Sequence, residues 1–169
     1  MRSAQAKAAT AVNSELVDLY LHIGGRLATS VWGQAAVERL ARDLRGAFPA
    51  MSGFSRRNLF YMQQVHLAWR EQPKSVQQLV ARLPWGHHIA LVTKIEDAET
   101  RAWYLRHAVA NGWSRNMLSI HIASSLHRRQ GTALTNFART LPAPQSELAQ
   151  EILKDPYNFD FLALRQGHA

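Results

Sequence analysis

The residues best suited to chemistry in this 169-residue chain are arginines placed at two helix starts. Gly53-Phe54-Ser55-Arg56 followed by Leu59 is echoed by Gly112-Trp113-Ser114-Arg115 followed by Leu118. In both copies glycine permits a turn, the aromatic packs ahead of the cap, serine caps the helix and arginine projects from the first turn. An arginine so placed meets a phosphate with the help of unpaired N–H groups and the positive end of the helix dipole. Ser55, Arg56 and Arg57 are the leading contacts of the first copy, with Gln63 a candidate reader of an adenine edge and Arg70 a further basic contact on the same helix. In the second copy Arg115 and Asn116 open the helix, and Arg128 and Arg129 close it beside His127. Two plainer explanations stand beside these: ordinary capping grammar for the echo, and cations complementing a helix C-terminus for the closing cluster.

Other chemistries lack their residues. With no cysteine there is no disulfide framework, thiol nucleophile or cysteine-ligated metal. Among the eight histidines, His87 and His88 are adjacent and point to different sides of a helix, and no His-Glu-x-x-His pattern occurs, so no metal site is expected. His87 reads instead as part of a helix start or as a packing histidine. A hydrolytic nuclease of the restriction type needs an acidic residue two before a lysine to hold magnesium and orient water. The residues two before Lys7, Lys74, Lys94 and Lys154 are Gln5, Gln72, Val92 and Ile152, so that triplet is missing. Without a phosphate loop or a Gly-x-Ser-x-Gly elbow either, the chain is expected to be non-catalytic and to carry no cofactor.

Twenty Lys plus Arg against twelve Asp plus Glu give a formal charge of +8, nearly all of the basic side being arginine. Polyanions are the partners this favours, with solubility the bland alternative. No apolar run approaches the roughly 18 residues of a membrane span, and the first residues lack a signal-peptide pattern, so a cytoplasmic protein is expected.

The elements that must position these residues read as helices throughout. Leu16, Leu19, Tyr20, Ile23 and Leu27 mark one face of a helix over residues 12–31, capped by Asn13 or Ser14, with Gly24 and Gly25 signalling a bend or a close helix contact. Residues 34–48 alternate an apolar stripe with a charged face and stop at Pro49; Ser55 then caps a helix running to about Glu71. The apolar side of that second helix, Tyr61, Met62, Val65, Ala68 and Trp69, is expected to pack on the stripe of the helix before it. A short helix follows over residues 75–82. Residues 88–95 fit strand or buried helix, and helix is favoured because no partner strand exists. Helices over residues 97–110 and from Ser114 to about Arg129 complete an all-α bundle with one or two helix-turn-helix-like units.

The expected organisation is a flexible leader over residues 1–12 and a helical nucleic-acid-binding domain over 13–139, with subunits at about 13–72 and 75–130. A proline-containing linker and short helix over 140–169 follow, with a helix from Ser146 to Lys154 and an aromatic tail of Tyr157, Phe159 and Phe161 that suggests a longer natural polypeptide.

Several strings taken together resemble the N-terminal region of the YhcG-like nucleases of bacteria, over about residues 11–164. They are Trp32-Gly33, Gly53-Phe54-Ser55-Arg56-Arg57-Asn58-Leu59, Leu83-Pro84-Trp85-Gly86-His87 and Asn111-Gly112-Trp113-Ser114-Arg115. Gln130-Gly131, Asn136-Phe137, Leu141-Pro142-Ala143-Pro144, Leu153-Lys154-Asp155-Pro156-Tyr157 and Phe159-Asp160-Phe161-Leu162 continue the series. The resemblance implies a helical front region thought to bind DNA, linked to a C-terminal nuclease domain of the PD-(D/E)xK superfamily that uses a divalent metal such as magnesium. On this reading the chain stops where that domain would begin. The expected function is DNA binding; the rival is an oligomerisation or protein-docking module, a homodimer included, anchored by Trp32, Trp69, Trp85, Trp103 and Trp113.

Overall fold

The computed structural model describes residues 2–29 and 33–129, and among these it contains eight helices and no strand. Trp32, the strings from Gln130 onward, the linker from Thr140, the helix expected from Ser146 and the aromatic tail lie outside the described residues.

Helix α1 (Arg2–Ala28) begins at Arg2, so residues 2–12 are helical where a flexible leader was expected. Their abundance of alanine, the strongest helix former, extends the helix upstream of its apolar stripe. Asn13 consequently lies inside the helix and does not cap it. It is buried, and its Nδ2 donates to the carbonyls of Ala81 (3.2 Å) and Leu83 (3.1 Å). Helix α2 (Gln34–Ala47) buries Val37 and Ala41 and stops before Pro49. Helix α3 (Arg56–Trp69) starts at the expected cap, the Asn58 N–H donating to Ser55 Oγ at 3.2 Å.

Helices α4 (Lys74–Val80) and α5 (Trp85–Lys94) follow, and the ambiguous residues 88–94 are helical. Helix α6 (Ala98–Asn111) is capped by Asp97, which accepts from the Thr100 N–H at 2.7 Å, and ends on Gly112 in the left-handed region at φ 61°. The last expected helix is broken in two, α7 (Arg115–Ala123) and α8 (Leu126–Arg129). Between them Ser124 Oγ donates back to the His121 carbonyl at 3.2 Å and Ser125 adopts φ 52°. Two adjacent serines compete for backbone groups and weaken the helix where they fall.

The principal neighbour of α3 is α1, not the preceding α2 on which its apolar side was expected to pack. The crossing is close because Gly24 has no side chain: a Cβ there would lie 2.1 Å from the Met62 carbonyl oxygen. Gly25 faces the His66 ring in the same way, at 2.9 Å. Helix α7 likewise packs chiefly on α5, not on α6. One core therefore joins both halves, running from Leu16 and Tyr20 through Leu59 and Met62 to Leu91, Leu105 and Leu118.

Candidate nucleic-acid interface

A buried polar hub sets the position of the helix starts. Asn58, in the first turn of α3, donates from Nδ2 to the Gly53 carbonyl at 2.7 Å and accepts at Oδ1 from Trp85 Nε1, also at 2.7 Å. That pair places the start of α5 against the start of α3, and the Trp85 ring meets Tyr20 of α1 edge-on at 4.9 Å. One residue further on, Gly86 lies beneath Arg115: a Cβ on Gly86 would stand 3.1 Å from Arg115 Nη1. His87 Nε2 lies 2.9 Å from the Trp113 carbonyl, which fixes the turn leading into α7. A ring nitrogen facing a carbonyl must carry its proton, so His87 donates. His88 Nε2 does the same toward Val80 at 2.9 Å, and full burial pushes its pKa down to about 4, keeping the imidazole neutral. Both histidines are thus packing residues, as expected for His87.

The outcome is three helix starts side by side, α5 in the middle with α3 and α7 flanking it. Arg56 and Arg57 occupy the first turn of α3, and both side chains are exposed. Arg56 lies over the Phe60 ring at 5.7 Å, and Arg57 over the Tyr61 ring at 5.7 Å while its Nε donates to Tyr61 Oη at 3.2 Å. These contacts one helical turn along hold the guanidinium groups at the surface. On α7, Ser114 accepts from the Met117 N–H at 3.2 Å, and Arg115 and Asn116 are exposed beyond it. The echoed motif therefore places Ser55, Arg56, Arg57, Arg115 and Asn116 at one end of the bundle, aided by two capped N-termini.

The remaining sequence candidates lie elsewhere. Gln63 is turned inward, its Nε2 donating to the Leu27 carbonyl of α1 at 3.2 Å, so it links two helices and does not face a ligand. Gln64 is the exposed glutamine of the pair. Helical periodicity could have separated them: with Met62 and Val65 buried, the inward side of α3 is wide enough to include position 63 once α1 rather than α2 is its partner. Arg70 caps the far end of α3 and pairs with Glu71 at 3.0 Å. Arg128 and Arg129 are exposed on α8, where Arg129 Nη2 donates to Ser124 Oγ at 2.7 Å. Sequence reading gives Asn58 no role and offers Trp85 as an interface anchor; both are buried, and the hydrogen bond between them joins the starts of α3 and α5. Among the described residues no group of three or more His, Cys, Asp or Glu is placed to hold a metal ion. No described helix is long and apolar enough to cross a membrane.

Compared with known proteins, residues 1–129 match the DUF1016 N-terminal domain family. The chain is also similar to an Escherichia coli (strain K12) protein named "Putative nuclease YhcG", 24% identical over 208 residues, which cover 99% of this chain and 54% of that protein. The chain thus spans about half the length of this curated relative. No solved structure matches it.

Proposed function

The chain belongs to the DUF1016 N-terminal domain family, and on that premise we propose that it binds DNA through the starts of α3 and α7, which flank that of α5, and contributes no catalytic group to cutting it. In the cytoplasm it would hold DNA for a linked nuclease domain of the PD-(D/E)xK type. The observation that carries this reading is the joint position of Arg56, Arg57 and Arg115, brought together through Asn58, Trp85 and Gly86. Capped N-termini and arginine forks are well matched to phosphate oxygens.

Electrostatic contacts then dominate affinity. If about four to six phosphates are neutralised, log affinity falls against log salt with a slope of roughly −4 to −5. Replacing Arg56 and Arg57 together by alanine should weaken duplex binding and reduce that slope by about 2. An unchanged affinity and slope in a folded double variant would reject this end of the bundle as the contact surface.

A second reading, docking onto another protein or a second copy, is favoured by one feature: Met117 and Ile120 expose apolar side chains on α7, at 37% and 50%. The tryptophans support it less, because Trp69 and Trp85 are core residues and Trp103 and Trp113 are partly buried. Light scattering separates the two readings. A monomer that binds duplex DNA supports the first; a salt-resistant dimer without DNA affinity supports the second.

A further inference from the structure

Independently of the DNA-binding reading, we propose that the exposed face of α7 is a docking surface for this chain's own acidic and apolar segment, residues 146–162. The surface is a strip of apolar side chains: Met117, Ile120 and Ala123 fall three residues apart on one side of α7, and all three are exposed. The opposite side of the helix is used by the bundle, through the fully buried Leu118 and the partly buried Ile122. Exposed Arg115 and Asn116 stand at the start of the strip, and exposed Arg128 and Arg129 on α8 follow its end. Residues 100–129 contain five arginines and not one Asp or Glu, and α5, on which α7 packs, has no acidic residue either.

Charge and reach identify the occupant. Residues 146–162 hold Glu147, Glu151, Asp155 and Asp160 against the single Lys154. Apolar residues interleave with these carboxylates, Leu148 and Ile152 falling four apart beside Glu147 and Glu151. The segment thus complements an apolar strip bordered by arginines in both respects. A second copy of the bundle does not, because pairing two such faces sets arginine against arginine, and like charges across an interface oppose association. As for reach, α8 packs on α7, so the chain leaves α8 at Arg129 beside the strip. The intervening residues 130–145 span up to about 50 Å when extended, several times the roughly 14 Å length of the nine-residue α7. Such a tether sets the local concentration of the segment in about the millimolar range, which favours a weak contact within one molecule over the same contact between two. With the segment seated, its carboxylates meet the basic rim of the strip, and any other polyanion approaching the start of α7 must displace them.

Because the chain has no cysteine, Gln150→Cys in the full 169-residue protein takes a single nitroxide spin label within the segment. The proposal predicts that paramagnetic broadening removes the amide NMR signals of Met117 to Ser124 and leaves those of α4. Adding Ile120→Glu, which sets a carboxylate against the acidic segment, should bring the lost signals back. Ile120 is exposed, so that variant is expected to fold, with circular dichroism as the check. Glu147→Lys combined with Glu151→Lys acts from the segment's side, leaves the bundle untouched and should bring the signals back as well. Broadening that is absent from α7, that centres on another helix, or that survives both sets of substitutions would overturn the proposal. So would equal loss of α7 signals in isotopically labelled protein without the cysteine when it is mixed with spin-labelled protein, since that result seats the segment on a second copy. No DNA enters the experiment, so either result leaves the DNA-binding reading to its own test.

Discussion

Asn58 uses its amide in two directions inside the core, giving a proton to Gly53 and taking one from the Trp85 indole. Replacing it with leucine leaves a buried carbonyl and a buried indole N–H without partners, and each such orphan costs on the order of 1–3 kcal/mol. Asn58→Leu is therefore expected to lower stability by about 3 kcal/mol, read as a drop in the urea midpoint. His88 makes a prediction about pH. Its folded pKa is about 4 against an ordinary 6.5, so between these values the unfolded chain binds more protons than the folded one. Stability is full above pH 6.5 and falls as pH drops toward 4, by an amount on the order of 3 kcal/mol. His121, also lowered, acts in the same direction. His88→Phe should flatten the melting-temperature profile across that window; a profile as steep as the wild type's would assign the acid sensitivity to other groups. Neither role could be read from the sequence alone. The sequence singles out Arg56 and Arg57 at this helix start, yet only a fold shows that they face water while the next residue, Asn58, faces the core.

At the scale of elements, periodicity and capping carried most of the reading and packing partners escaped it. Ser55 and Ser114 cap as their motifs indicated, and Gly112 ends α6 in the conformation that glycine permits. Replacing either serine by alanine is expected to cost about 1 kcal/mol. A period of 3.6 reveals that a face is buried, but not which helix covers it. For that reason the pattern points α3 toward α2 and Gln63 toward a ligand, when α1 takes both. The one sequence sign of the true partner was Gly24-Gly25, which costs helix propensity and so needs a reason. Gly24→Ala tests that reason by its sign. Propensity alone predicts a gain of about 1 kcal/mol, whereas collision with the Met62 backbone predicts a loss of about 3 kcal/mol. The break at Ser124-Ser125 also escaped, because the apolar pattern continues across it through Ile122 and Leu126.

Across the whole molecule the charge is uneven. Residues 1–129, the stretch that matches the family, hold 17 of the 20 basic residues and 8 of the 12 acidic ones. The excess is thus folded into the bundle, where it attracts a polyanion from a distance before any local contact forms. All-helical architecture was legible because most segments carry a helical period and the one ambiguous stretch, residues 88–95, has no strand to pair with. The gathering of α3, α5 and α7 starts was not, because it depends on the hydrogen bond between Asn58 and Trp85, 27 residues apart in sequence. Amide chemical-shift mapping during titration with a short duplex tests that gathering most directly. The shifts should concentrate at Arg56 to Asn58, Gly86 and Arg115 to Met117, and should fade as salt is raised. Shifts centred on α2 or α4, with those helix starts silent, would contradict the account.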